Sequence, residues 1–411
     1  MSGIVVAGAG QAGFQVAASL REAGYAGRVV LFGEEAELPY QRPPLSKAYL
    51  DGRADDESLQ LRPRSFFDEH RIEYIAGERL ARIDRRARSV ELCSGRSLAY
   101  DHLVLATGSR NRTLPVAGVD LDGVVQLRTL KDAADLKQKL PDVRRVAVIG
   151  AGFIGLEFAA VAAGRGMTVT VIEATGRPMT RGLSPVMSAF FRKAHEGSGV
   201  RFLFDAVASR ITGENGRVTG VDTADGGHVP ADLVLVGIGV VPNVEAAVDA
   251  QLPVGNGILV DEQLLTGDPD ISAVGDCASF PTRFAGGGRV RLESVQNAVD
   301  GAKAVAGRLA GRPTPHGAVP WFWSDQGPLK LQIAGLSVPH DRAVMRGDPA
   351  SGAFSTFCFA GERLAGVESV NRPGDHMAAR RVLAGLIPIT PDEAADPRFD
   401  LKALAGRAPR P

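Results

Sequence analysis

One glycine-punctuated unit occurs twice in this chain, and no other feature restricts the fold as tightly. The first copy leaves the apolar run Ile4-Val5-Val6-Ala7, passes through Gly8-Ala9-Gly10-Gln11-Ala12-Gly13, and returns in Arg28-Val29-Val30-Leu31-Phe32 with Glu34 and Glu35 at its end. The second passes through Gly150-Ala151-Gly152-Phe153-Ile154-Gly155, returns in Met167-Thr168-Val169-Thr170-Val171-Ile172, and ends at Glu173. In such a turn one glycine permits the sharp exit from the strand, a second admits the backbone of the loop to a pyrophosphate, and a third lets helix and strand close together. Amides at the helix N-terminus meet the phosphate charge, and the terminal acid accepts ribose hydroxyls. A single match also suits an ordinary turn. Two copies, each with strand, helix and acid in place, predict two dinucleotide-binding domains of α/β type.

Other segments fill in this frame. Leu103-Val104-Leu105-Ala106-Thr107-Gly108 and Leu233-Val234-Leu235-Val236-Gly237 are β-branched apolar runs ending in glycine, as buried parallel strands do. Each precedes a proline-containing turn, Leu114-Pro115 or Val241-Pro242-Asn243, read as a crossover between domains. Ile271-Ser272-Ala273-Val274 leads to Gly275-Asp276, where a carboxylate at the edge of a sheet can hold a polyol hydroxyl or simply end a strand. After Arg312-Pro313-Thr314-Pro315 the texture changes: both tryptophans fall in Trp321-Phe322-Trp323 and β-rich stretches follow, predicting a separate α+β domain. A loose tail is expected from Gly406 to Pro411.

Composition narrows the function classes. With 47 basic and 47 acidic residues the chain has no overall charge bias toward nucleic acid or anionic lipid, and neither is expected as a partner. The first strand follows Met1 and Ser2 directly, leaving no room for a secretory leader, and no apolar run reaches the ~20 residues that span a bilayer. A cytoplasmic protein is expected. Cys93, Cys277 and Cys358 lie far apart, without metal or disulfide spacing, and His102 and His195 stand alone, so no metal site is expected.

Three further segments carry a resemblance more specific than the glycine turns: Pro39-Tyr40-Gln41-Arg42-Pro43-Pro44-Leu45-Ser46-Lys47, Glu293-Ser294-Val295-Gln296-Asn297-Ala298, and Pro320-Trp321-Phe322-Trp323-Ser324-Asp325-Gln326. On these the chain resembles the FAD-containing pyridine-nucleotide oxidoreductases, and among them the ferredoxin reductases of bacterial cytochrome P-450 systems. That resemblance implies an FAD domain in two pieces, 1–112 and 243–317, an NAD domain at 113–242 and a C-terminal interface domain at 318–411. It implies FAD contacts at Ala12, Glu34, Glu35, Arg42, Lys47, Ala81, Arg128, Asp276 and Val295, with Gly8, Gly10, Gly13, Ala106, Thr107, Gly108, Gly275 and Glu293 around them. Trp323 would lie beside the flavin, although aromatic triplets are also ordinary core. The second turn would hold NADH through Gly150, Gly152, Ile154, Gly155 and Gly237.

Physical chemistry supports parts of this separately. Arg42 and Lys47 can neutralise a pyrophosphate or an anionic flavin, and Pro43 and Pro44 stiffen the loop between them; solvated cations on a proline-rich loop are the competing reading. Glu157 is expected on the first turn of the second helix, where the resemblance implies that it pairs with Lys47 beside the nicotinamide; by its position alone it could merely complement the helix dipole. Glu173 should favour NADH by repelling the 2′-phosphate of NADPH, with Arg177 and Arg181 offsetting part of that repulsion. Lys47, Glu157 and Trp323 are the candidate catalytic residues.

Relatives that reduce disulfides or peroxides keep cysteine just after the proline-tyrosine loop, whereas Pro44 to Leu50 contains none. Electrons are therefore expected to leave the flavin directly, singly, to a [2Fe-2S] ferredoxin serving a cytochrome P-450 monooxygenase or an aromatic-ring dioxygenase. Such acidic partners call for a basic patch, with Arg62, Arg64, Arg79 to Arg88, Arg308, Arg312, Arg380 and Arg381 as candidates. Two alternatives stay open: reduction of a small radical or quinone, as by monodehydroascorbate reductases, and a redox module like apoptosis-inducing factor. A monomer or weak dimer is expected.

Overall fold

A computed structural model describes residues 3–408. Met1 and Ser2, and residues 409–411 of the expected tail, lie outside the described residues; Gly406 to Ala408 close off the helix Leu401–Ala405 as a turn. The chain forms two compact units from separated segments. The first takes residues up to Gln41, Glu57–Arg110 and Val241–Pro320; the second takes Arg42–Asp56, Asn111–Val240 and the residues from Trp321 onward.

The first unit is built on a five-stranded parallel sheet in the order Ile271–Ala273, His102–Leu105, Ile4–Ala7, Val29–Gly33, Ile72–Ala76. The three central strands are buried along their whole length, which is why they read as unbroken apolar runs rather than alternating ones. Helices Gln11–Glu22 and Val295–Leu309 pack against each other, and both bury several alanines. Because the sheet order reverses at Ile4–Ala7, the first glycine turn emerges at a switch point, where open α/β sheets bind ligands at their carboxyl edge.

The second unit repeats this plan. Its parallel sheet runs Arg201–Leu203, Thr168–Ile172, Arg145–Ile149, Leu233–Val236, Val124–Val125, and the order again reverses at the strand that feeds the glycine turn. A five-stranded antiparallel sheet follows: Trp321–Gln326, Leu329–Gly335, Arg363–Val370, Ala353–Ala360, Arg342–Asp348. Helix Pro373–Ala384 packs on two of its strands, and helix Phe153–Gly164 packs on Trp321–Gln326. The architecture is thus α/β, with two Rossmann-like parallel sheets and an antiparallel C-terminal α+β part. Among the described residues no helix is long and apolar enough to cross a membrane.

Candidate functional site

In the first unit the turn Gly8–Gly13 has no steric alternative to glycine at its ends. Gly8 has φ +111° and a Cβ there would stand 2.2 Å from the Ala106 carbonyl oxygen, while a Cβ on Gly13 would stand 1.8 Å from that of Gly8. Gly10 is different: it caps the helix Gln11–Glu22, and nothing lies within 4 Å of where its Cβ would be. No side chain caps that helix and no acid stands in its first turn, so the helix itself supplies no negative group to its positive end. Gly33, immediately before Glu34 and Glu35, abuts Ala9 of the turn. Glu34 is exposed, and Glu35 accepts a 2.5 Å bond from the Tyr40 hydroxyl.

The neighbouring strand ends carry the remaining first-unit candidates. Thr107 and Asn243 lock together, Thr107 Oγ1 donating to the Asn243 carbonyl at 2.7 Å and Asn243 Nδ2 to the Thr107 carbonyl at 2.9 Å. Gly108 has φ +67°, and Asp276 accepts from Ser109 Oγ at 2.8 Å. A Cβ on Gly275 would come within 2.9 Å of Ala12, so the Asp276 loop sits on the first helix. Glu293 pairs with Arg291 at 2.7 Å, and Val295 opens the helix that Ser294 caps. Ala81 lies in the antiparallel strand Leu80–Asp84 at a position the ladder skips, with no described bond to the glycine turn.

The second turn reproduces the first. A Cβ on Gly150, at φ +102°, would stand 2.4 Å from the Gly237 carbonyl oxygen, and one on Gly155 2.4 Å from that of Gly150. Gly152 is open, with its nearest neighbour 3.9 Å away, and caps the helix Phe153–Gly164 without a side-chain bond. Ile154 is exposed on that helix's first turn. Glu173 accepts from the Ala151 amide at 2.7 Å and from Thr175 at 2.9 and 2.8 Å, which ties the strand-end acid to the loop. The Arg181 guanidinium lies 3.2 Å from where a Gly239 Cβ would be, just past the strand Leu233–Val236. Arg177 instead bonds Leu183, Thr180 and Ser188, so its charge is directed into its own loop rather than toward Glu173.

Glu157 is placed differently from the sequence expectation. The helix begins at Phe153, so Glu157 falls in its second turn, where the face turned inward buries it to 3% exposure. A carboxylate so buried needs donors. Lys47 Nζ pairs with Oε1 at 2.9 Å, Ser324 Oγ donates to Oε1 at 2.7 Å, and Ser46 Oγ donates to Oε2 at 2.5 Å. Lys47 follows the short 3-10 turn Pro43–Ser46, which the two prolines begin, and Arg42 donates to the Arg128 carbonyl at 2.6 Å. Residues Arg42–Asp56 therefore belong with the second unit. Trp323 is half-buried on the opposite face of its strand from Ser324, its ring 5.5 Å from that of Trp321.

Sequence reasoning missed Ser46, Ser324, Gln326 and His195. The last two meet at 2.7 Å, Gln326 Oε1 to His195 Nε2, and burial holds the imidazole below its ordinary range. The available signal was alternation, since Ser324 and Gln326 share a face only if Trp321–Gln326 is a strand. His102 is a core residue bonded to Ser272 at 2.9 Å. Among the candidate surface cations, Arg308 turns inward to Ser272, while Arg85 and Arg88 pair with Asp268 and Asp270 at 2.6 and 2.5 Å. Among the described residues, no group of three or more His, Cys, Asp or Glu is arranged to hold a metal ion.

Two glycine turns, each at the switch point of its own parallel sheet, give the chain two candidate dinucleotide cradles. The chain belongs to the pyridine nucleotide-disulphide oxidoreductase family, whose model matches residues 2–302, and a reductase C-terminal model matches residues 321–405. It is 54% identical to rhodocoxin reductase of Rhodococcus erythropolis over 98% of this chain and 94% of that one. Among solved structures it matches the ferredoxin reductase for the CYP199A2 system from Rhodopseudomonas palustris, with TM-score 0.96 and 51% identity, covering 98% of this chain and 100% of that one. The covalent putidaredoxin reductase–putidaredoxin complex matches with TM-score 0.95 and 39% identity, covering 99% of both chains.

Proposed function

We propose that this protein is an NADH-dependent ferredoxin reductase with FAD, supplying single electrons to a [2Fe-2S] ferredoxin of a cytochrome P-450 or aromatic-ring dioxygenase system. The observation that carries the reading is the duplicated cradle: two glycine turns with open helix N-termini, each with an acid after the next strand. The relatives' names give the acceptor, rhodocoxin or a ferredoxin. The domain division at 112, 242 and 317 stands as part of this proposal.

In the first unit Gly8, Gly10 and Gly13 would admit the pyrophosphate of FAD, and the acids Glu34 and Glu35 its ribose. Ala12, Ala81, Ala106, Thr107, Gly108, Gly275, Asp276, Glu293 and Val295 would complete that side. In the second unit Gly150, Gly152, Ile154, Gly155 and Gly237 would receive NADH. Glu173 would accept the ribose hydroxyls and disfavour a 2′-phosphate, with Arg181 softening part of that preference. Arg42, Lys47, Arg128 and Trp323 are assigned to the flavin by resemblance. Bound FAD supplies acceptance of a hydride and release of its electrons one at a time. Lys47, held against Glu157, would keep a fixed positive charge at the reacting end.

The test is direct. The purified protein should be yellow, bleach with NADH in the absence of air more efficiently than with NADPH, and recover its colour on adding a [2Fe-2S] ferredoxin. A colourless protein that takes up no flavin, or one reoxidised only by a small radical or quinone, would overturn the assignment.

A further inference from the structure

The buried carboxylate of Glu157 is the end of a longer polar chain, all of it within the second unit. On the strand Trp321–Gln326 the side chains of Phe322, Ser324 and Gln326 share one face. Phe322 meets Phe153 at 4.6 Å between ring centroids, which seats this face on the helix Phe153–Gly164. Ser324 and Gln326 are 0% and 2% exposed, so each polar atom needs a defined partner.

Donor and acceptor chemistry gives the chain one direction. Gln326 Oε1 can only accept, so the proton between it and His195, 2.7 Å away, belongs to Nε2 of the imidazole. That bond fixes the amide the other way round for its nitrogen, which donates to Ser324 Oγ at 3.2 Å and to Met179 Sδ at 3.4 Å. Ser324, accepting from Gln326, has its single proton free for Glu157 Oε1 at 2.7 Å. Met179 in turn donates its own backbone amide to the Ala151 carbonyl at 2.9 Å, a bond that does not involve the Gln326 side chain.

We propose that Gln326 and Ser324 are positioning residues for the Lys47–Glu157 pair: the one-way chain from His195 through Gln326 and Ser324 aims the Glu157 carboxylate and thereby fixes the Lys47 ammonium. The role of that pair at the reacting end rests on the function proposed above; the placement of Lys47 does not. Ser324→Ala removes the last donor. Gln326→Glu keeps the shape but replaces the donating nitrogen with an acceptor, which turns the Ser324 proton away from Glu157. Ser324→Thr restores a hydroxyl.

Three measurements on the purified protein test this. Acylation of Lys47 by an amine-reactive ester, read by mass spectrometry, should rise several-fold in Ser324→Ala and Gln326→Glu and return toward the wild-type level in Ser324→Thr. The limiting rate of flavin bleaching by NADH should fall about tenfold in the first two variants, as expected when a reacting group loses its fixed placement. Calorimetric affinity for ADP-ribose, which lacks the nicotinamide, should not change. Unaltered Lys47 reactivity in both variants would overturn the proposal, as would losses that follow ADP-ribose affinity or that threonine fails to rescue. A variant that no longer binds ADP-ribose also counts against it, because a positioning role leaves the domain intact. If NADH fails to bleach the wild-type protein the function is wrong, and Lys47 acylation still decides this point.

Discussion

At the scale of single residues, buried titratable groups decide how this protein responds to acid. His102, 7% exposed, is the first residue of a strand in the first parallel sheet and is bonded to Ser272 with Arg308 nearby. Burial first, and then the Arg308 charge, push its pKa down from 6.5 to about 3. Below pH 6.5 the unfolded chain therefore takes up a proton that the native protein refuses, so stability is full above that pH and is lost as pH falls toward 3. Between pH 7 and pH 5 this one histidine should cost about 2 kcal/mol, because only the unfolded state titrates in that window. Urea unfolding at the two pH values checks it: His102→Gln should lose about that much less stability on acidification than the parent protein does. Equal losses in the two proteins would show that His102 is protonated in the native state.

Among the elements, the helix Pro185–Gly197 depends on one side chain for both its start and its anchorage. Ser184 caps it, accepting from the Met187 amide at 3.3 Å, while its own hydroxyl and amide donate to Glu368 at 2.6 and 2.7 Å. Glu368 lies on the strand Arg363–Val370 with 0% exposure, and burial raises its pKa despite the Ser184 bonds that favour the charged form. Ser184→Ala removes a helix cap and a donor to a buried carboxyl together. The expected loss is about 2–4 kcal/mol, the sum of the usual cost of a lost cap and of an unsatisfied buried acceptor. Thermal or urea unfolding measures it. Ser184→Thr, which keeps the hydroxyl, should recover most of the loss. The same helix carries His195 into the Gln326 chain, so its placement bears on the candidate site as well as on stability.

Across the whole molecule, what could be read from sequence divides along the range of the forces involved. The glycine turns were legible because their constraint is local: the clashes at Gly13 and Gly155 are with residues five positions away in the same turn. The central parallel strands were legible because burial on both faces makes most of their positions apolar. Glu157 and its partner Lys47 were singled out, but its turn and the two hydroxyls that complete its shell were not, because Ser46 and Ser324 reach it across sequence separations of 111 and 167 residues. For the same reason His195 read as isolated. The cysteines complete the argument at this scale, since the family name includes disulphide chemistry and three free thiols are present. Cys277 is fully buried with its sulfur on the Leu105 and Val274 carbonyls at 3.5 and 3.3 Å, and burial pushes its pKa up. Burial does the same to Cys358. Neither offers a thiolate, which is the reactive form, and Cys93 is exposed on its own. Electrons passing through this protein therefore need no sulfur relay. Saturating the native protein with an alkylating reagent should label Cys93 and leave NADH-driven reduction of ferredoxin unchanged, and Cys277→Ala should retain that activity. Loss of electron delivery on alkylation, with Cys93→Ser protecting against it, would instead put a thiol on the path.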